Sequence, residues 1–227
     1  MTLAFKSLFN ELESAFERQS DAERAEGMKA YMRNQFEFFG IPAPKRKELV
    51  REVFSGFKWG EDRKAFLDFF DRCWKHPKRE MQYAALDLGF RFKKYFTPED
   101  IPRLEKKIGE RSWWDTVDGL VPQILGAIMM HDKKLLKAYT GKWIESDDIW
   151  YQRSAILLQL KYGDKMDFPL ECKLILRRAA SREFFVQKAM GWVLRERSKK
   201  HPAEVRRFIS ENKIPSLAVR EGMKYLR

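Results

Sequence analysis

Two residues of complementary chemistry stand four apart in the segment Ser112-Trp113-Trp114-Asp115-Thr116-Val117-Asp118-Gly119. In a helix, Trp114 and Asp118 lie one above the other along one strip of surface. A fixed carboxylate stabilises developing positive charge and orients or deprotonates an attacking water; an indole face adds cation–π attraction of about 0.5–2 kcal/mol. Val117, Leu120, Val121, Ile124 and Ile128 supply the apolar stripe that would bury such a helix. Ser112 reads as its N-cap, and Asp115 three residues on completes a capping box with Asp in place of Glu or Gln. Pro122 removes the donor that would reach the carbonyl of Asp118, so a kink is predicted beside the acid. Taken alone, the same residues also read as a core tryptophan pair with a capping acid and a solvated Asp118.

The elements that must position these residues are helices. Leu3 to Arg18 is amphipathic, Ser20-Asp21-Ala22-Glu23 opens a helix through Met28, Tyr31 and Met32, and Phe39-Gly40-Ile41-Pro42 ends it before Pro44 begins the next. Later helices are marked by Pro77, by Thr97 as a cap before Pro98, by Asp147 as a cap, by Ser181 and by Pro202. Short polar connections and the lack of a Gly- or Ser-rich linker predict one all-α domain over residues 1–227.

An internal repeat organises these helices. The segments Met81-Gln82-Tyr83-Ala84, Tyr151-Gln152-Arg153-Ser154 and Val186-Gln187-Lys188-Ala189 share a Gln, a long polar or aromatic residue, then a small one. A 35-residue step places Tyr83, Asp118, Arg153 and Lys188 in one register, and Trp114, Ile149 and Phe184 in another. Two helices per unit at this period describe an α-solenoid, in which the second helices line a concave face. Asp118, Arg153 and Lys188 should then stand in a row, with Trp192 one turn beyond Lys188.

Composition narrows the function classes. The 227 residues carry a formal net charge of +12, and the isoelectric point is near 9.6; a polyanion partner follows, with nucleic acid first. Basic pairs and triplets spread along the chain, among them Lys45-Arg46-Lys47, Lys93-Lys94, Lys133-Lys134 and Arg206-Arg207, and suggest a long basic track. No apolar run approaches the ~20 residues needed to span a bilayer. Cys73 and Cys172 are unclustered and His76, His131 and His201 are scattered, so neither a disulfide framework nor a metal site is predicted, and no cofactor. The cytoplasm is the expected compartment.

Together these motifs resemble a known family. Ser112 to Asp118, Ser146-Asp147-Asp148-Ile149-Trp150-Tyr151-Gln152-Arg153, the stretch Glu183 to Glu196 and Ala25 to Asn34 look like the bacterial HEAT-like-repeat alkylpurine DNA glycosylases of the AlkD type. The resemblance covers nearly the whole chain and implies an α-solenoid with a concave basic face. It implies removal of cationic alkylated purines, such as 3-methyladenine and 7-methylguanine, from double-stranded DNA by a monomer in the bacterial cytoplasm, without drawing the base into a pocket. It further implies Asp118 as the catalytic carboxylate, Trp114 and Trp192 as indoles flanking the lesion's sugar, and Arg153 as a residue engaging DNA there. Tyr31 and Phe184 match the family's DNA-facing surface, and Lys188, Lys45, Arg46 and Lys47 are candidate DNA contacts.

The chemistry is coherent on physical grounds. Alkylation at N3 or N7 makes the purine a cation, so it departs as a neutral molecule and leaves positive charge on the sugar; a carboxylate stabilises that oxocarbenium-like state, as in glycoside hydrolysis. The competing reading is a non-catalytic helical-repeat scaffold for nucleic acid, which has no need of an acid between two tryptophans. A membrane-surface protein would want a continuous basic amphipathic helix, and a Schiff-base lyase a lysine of lowered pKa; neither is evident.

Overall fold

A computed structural model describes residues 3–55, 57 and 62–226, with side chains from residue 6 onward. The described residues are helical with short turns and contain no strand; the sole β-type pairing among them is an isolated bridge between Glu37 and Lys78. The chain divides into two compact units, Met1–Tyr95 and Phe96–Arg227.

The first unit contains α1 (Leu3–Arg18), α2 (Ala22–Tyr31), α3 (Ala43–Val53), α4 (Arg63–Lys75) and α5 (Arg79–Arg91). Its core is aromatic. Phe9 meets Phe69 edge to face at 6.1 Å between centroids, Phe70 stacks on Trp74 at 5.8 Å, and Phe16, Phe66, Phe69 and Trp74 are buried. The helix capped at Asp21 has no fully buried residue, and its start is tied by its cap and by the Asp21 amide, which donates to the Phe39 carbonyl at 2.8 Å. Asp21, not Ser20, is the N-cap and accepts from the Arg24 amide at 2.9 Å. The buried carboxylate of Glu80 accepts from the amides of Phe39, Gly40 and Ile41, which keeps these turn donors paired away from water. Gly40, at φ +89°, is required because a Cβ there would lie 2.0 Å from the Asp21 carbonyl oxygen.

The second unit is a stack of helix pairs. α6 (Ile101–Gly109) precedes α7 (Trp114–Leu120), which continues through a π turn at Val121–Leu125 into α8 (Gly126–Met129). Then come α9 (Lys133–Ile144) with α10 (Ile149–Leu157), α11 (Phe168–Arg177) with α12 (Phe184–Ser198), and α13 (Pro202–Glu211) with α14 (Ser216–Gly222). The second members pack in order, α7 on α10, α10 on α12, α12 on α14, and the first members α9 and α11 also touch. This is the α-solenoid arrangement, and the second helices begin at Trp114, Ile149 and Phe184, each 35 residues after the last.

The repeated glutamine owes its place to this architecture. Gln152 Nε2 donates to the Ser146 carbonyl and Gln187 Nε2 to the Ser181 carbonyl, both at 2.8 Å, clipping each second helix to the turn that precedes it. In the first unit Gln82 clips back to the Trp74 carbonyl at 2.7 Å. The hydroxyls of Ser146 and Ser181 accept from the amides of Asp148 and Glu183 at 3.1 and 3.3 Å, and His76 Nδ1 takes the Lys78 amide in the same way at 3.0 Å. At the corresponding position before α7 stands Arg111, which shapes its turn with φ +53° instead.

Three further caps differ from the expectation. Trp113, not Ser112, is the N-cap of α7 and has no side-chain cap bond; the Ser112 hydroxyl donates backward to the Ile108 carbonyl at 2.5 Å and so closes α6. Asp148 rather than Asp147 caps α10, accepting from the Trp150 amide. Glu183 occupies the N-cap of α12, while Ser181 shapes the turn. Thr97 stands at the cap position its sequence predicts and forms a capping box with Asp100, on the 3-10 turn Pro98–Asp100.

Candidate active site

The site starts at the first turn of α7. Val117, Leu120, Val121 and Ile124 are buried as the stripe predicts, Ile128 only in part, and Asp118 stands half-buried on the stripe's edge one turn after half-buried Trp114. Pro122 has no N–H to give, and the helix answers with the π turn, in which the Gly126 amide donates to the Val121 carbonyl five residues back. Gly126 is itself constrained, since a Cβ there would sit 2.6 Å from the Leu158 carbonyl oxygen.

Across from α7, α10 presents Arg153 to Asp118. Nε donates to Oδ1 and Nη2 to Oδ2, both at 2.8 Å, the fork-to-fork geometry in which a planar guanidinium matches a carboxylate. The third nitrogen, Nη1, donates to the Phe185 carbonyl on α12, so one side chain joins three successive second helices. The side chain of Arg153 is 5 % exposed and that of Asp118 15 %. Burial pushes the Asp118 carboxyl above the usual Asp range, the hydrogen bonds and charge of Arg153 oppose that rise, and nearby Asp115 adds to it.

An aromatic box fixes this join. Trp113, Trp150 and Phe185, one from the start of each of the three helices, pack with centroids 5.1–5.4 Å apart, and Phe184 meets Phe185 edge to face at 5.4 Å. The Trp113 indole N–H is buried with no protein acceptor, so the ring serves packing. Phe184 itself is 53 % exposed. Trp192 lies half-buried on α12, one turn after Lys188, whose ammonium pairs with Glu221 at 3.1 Å.

The remaining candidates belong to the first unit. Tyr31 is 72 % exposed at the end of α2. Lys45 pairs with Glu48 at 2.8 Å and Lys47 is exposed. Arg46 is buried: Nε and Nη2 both donate to Asp87 Oδ2 at 3.1 Å, and its guanidinium lies 4.8 Å from the centre of the Tyr83 ring. Among the described residues no group of His, Cys, Asp and Glu is arranged to hold a metal, and no helix is long and apolar enough to cross a membrane.

A family model described as "DNA alkylation repair enzyme" matches residues 12–226. The chain belongs to the DNA alkylation repair enzyme family. Membership carries a role in DNA repair with DNA as the substrate. A solved structure, titled as a predicted DNA alkylation repair enzyme from Enterococcus faecalis, is similar at a TM-score of 0.83 with 32% sequence identity, over 91% of this chain and 96% of that one. No curated protein matches the chain. Within this repair fold, sequence reasoning had missed Phe185, Trp113 and Trp150 as the box behind Arg153, and Glu221 as the partner of Lys188. Phe185 follows Trp150 by the repeat step and was available from it; Glu221 lies on a helix without the shared glutamine signature.

Proposed function

We propose that the protein is a monofunctional DNA glycosylase that hydrolyses the N-glycosidic bond of cationic alkylated purines in duplex DNA, acting as a monomer in the bacterial cytoplasm without drawing the base into a pocket. The observation that carries this reading is the orientation of the Asp118–Arg153 pair: the acid is its more exposed end, so the pair turns negative charge toward solvent and buries its cation. The bond breaks with its electrons going to the already positive purine, which leaves neutral. The positive charge that remains on the sugar faces Asp118, which stabilises it and orients or deprotonates the water that attacks C1′. Each carboxylate oxygen uses one lone pair on Arg153 and keeps another for this work.

Trp114 and Trp192 flank the deoxyribose in this reading and exclude competing solvent. Phosphate contacts fall to Lys45, Lys47 and Lys188, with Tyr31 and Phe184 on the DNA-facing surface. Arg46 is better placed to hold Tyr83, because it is buried with two donors on Asp87 and its guanidinium over the Tyr83 ring. Lesion choice then rests on the charge and instability of the damaged pair rather than on base sequence. The test is incubation with duplex carrying one 7-methylguanine, followed by alkaline cleavage of abasic sites. Strand cleavage above the uncatalysed rate is expected; its absence at enzyme concentrations that saturate binding would leave a non-catalytic nucleic-acid scaffold as the reading.

A further inference from the structure

Glu221 on α14 is nearly buried, yet three cations converge on it. Oε1 pairs with Lys188 Nζ at 3.1 Å, and Oε2 with Arg195 Nη1 at 2.9 Å and Lys224 Nζ at 2.9 Å. The carboxylate side chain is 8% exposed, whereas Lys188, Arg195 and Lys224 are 37%, 26% and 50% exposed. Three positive charges thus meet one negative charge, and the excess faces water. Lys224 first, and then Lys188, hold the Glu221 carboxyl below the usual Glu range against the opposing effect of burial. Helix packing is adapted to the same point. Gly191 on α12 has no side chain where a Cβ would fall 2.5 Å from Glu221 Cβ and 3.1 Å from the Ala218 carbonyl oxygen, so α14 comes close enough to α12 to set the acid between Lys188 and Arg195.

The register on α12 gives the cluster its meaning. Lys188, Trp192 and Arg195 are spaced four and three apart and so share one face, with the indole between two cations. A lysine ammonium has three donors and a guanidinium five, so a bond to Glu221 leaves donors on each cation for a second acceptor. Left to itself, a cluster of three like charges would spread its flexible side chains apart; one shared carboxylate gathers them.

We propose that Glu221 is a positioning residue that converges Lys188, Arg195 and Lys224 into a single site for a backbone phosphodiester beside Trp192. This rests on the glycosylase reading only in taking DNA as the ligand. An acid near a phosphate is usually repulsive, so the two accounts of Glu221 predict opposite signs.

The experiment measures the affinity of wild type and Glu221→Gln for an undamaged duplex by fluorescence anisotropy between 50 and 200 mM salt. The Gln variant keeps the shape and raises the net charge by one. Positioning predicts binding weaker by about tenfold, the equivalent of one charge-assisted hydrogen bond, and a log–log salt slope shallower by about 0.9 for each phosphate that is no longer neutralised. Tighter binding by Glu221→Gln would overturn the proposal and leave the glycosylase reading standing. Should that variant unfold, the half-exposed Lys224→Met and Lys188→Met each retain the test: both should make the slope shallower, and an unchanged slope in both overturns the proposal. A wild-type protein that fails to bind duplex in a salt-dependent way defeats the DNA reading itself, an outcome distinct from either.

Discussion

Asp118→Asn separates the charge of the acid from its shape, and the surrounding structure sets what it should do. The wild-type carboxylate receives two hydrogen bonds from Arg153 at 2.8 Å each. An Asn side chain has one acceptor oxygen and turns an NH2 group toward a guanidinium that can only donate, so one bond is lost and a donor faces a donor. Arg153 keeps its charge while 4% exposed, with the Asn oxygen and the Phe185 carbonyl as its remaining partners among these contacts. Breaking a buried pair by removing one charge costs ~3–5 kcal/mol, and partial exposure of Asp118 puts this case at the lower end. About 3 kcal/mol corresponds to a fall of roughly 6–12 °C in the unfolding midpoint for a chain of this size.

The chemical effect is separate. Losing one preorganised charge at the reacting centre costs on the order of 2.7–4 kcal/mol, about a hundred- to a thousandfold in rate. The assay is single-turnover excision of 7-methylguanine at saturating enzyme, at a temperature well below the lowered midpoint, alongside duplex affinity. Wild-type excision should also fall with acidification, because only the ionised acid works. Burial raises the Asp118 carboxyl above the ordinary Asp value, so the fall should begin at a higher pH than for a solvated Asp and be absent from the residual rate of the Asn variant. A folded Asn variant that excises at the wild-type rate would refute the assignment of Asp118.

Three further outcomes follow from other contacts. Arg153→Lys keeps the charge but cannot bridge both carboxylate oxygens and the Phe185 carbonyl, so it should slow single-turnover excision at least tenfold and broaden the indole fluorescence of the box. Gly126→Ala places a methyl 2.6 Å from the Leu158 carbonyl oxygen at the π turn, and should destabilise the fold by about 1–3 kcal/mol in denaturant titration. The Cys172 thiol is pushed up to about 12, by burial first and then by Glu171, so iodoacetamide should label it far more slowly at pH 7.5 than a model thiol, as mass spectrometry would measure.

How far the sequence could carry the argument differs from place to place. The 35-residue register was legible because α5, α10 and α12 repeat the glutamine clip, and its regularity placed Asp118 and Arg153 side by side in one row. The caps were displaced by one or two residues because Asp147-Asp148 and Ser112-Trp113 each offer neighbouring candidates, and composition cannot say which backbone turns first. The oddity beside Asp118 was visible in Pro122, but a missing N–H marks only the lost bond and not the π turn that replaces it. Glu221 was out of reach: its three partners lie 33 and 26 residues before it and three after it, at no helical period common to all. Arg46 looked like one third of a basic triplet, and its burial on Asp87 and Tyr83 comes from tertiary packing that a local pattern does not record.

The glutamine clips have a geometric consequence for the site. In α10 the clipping residue, Gln152, immediately precedes Arg153, and in α12 Gln187 immediately precedes Lys188. Each clip therefore acts as an index mark that sets the rotational phase of its helix, with Arg153 or Lys188 one fixed increment away. One residue is roughly 100° around an α-helix, so an insertion between the clip and its neighbour would swing Arg153 out of reach of Asp118 while leaving helix length and pairing almost unchanged. Substitutions that free the clip would loosen the same angle by degrees rather than by a full step. The alignment of Arg153 with Asp118 is a property of angular phase, held at a turn six residues before the clipping glutamine.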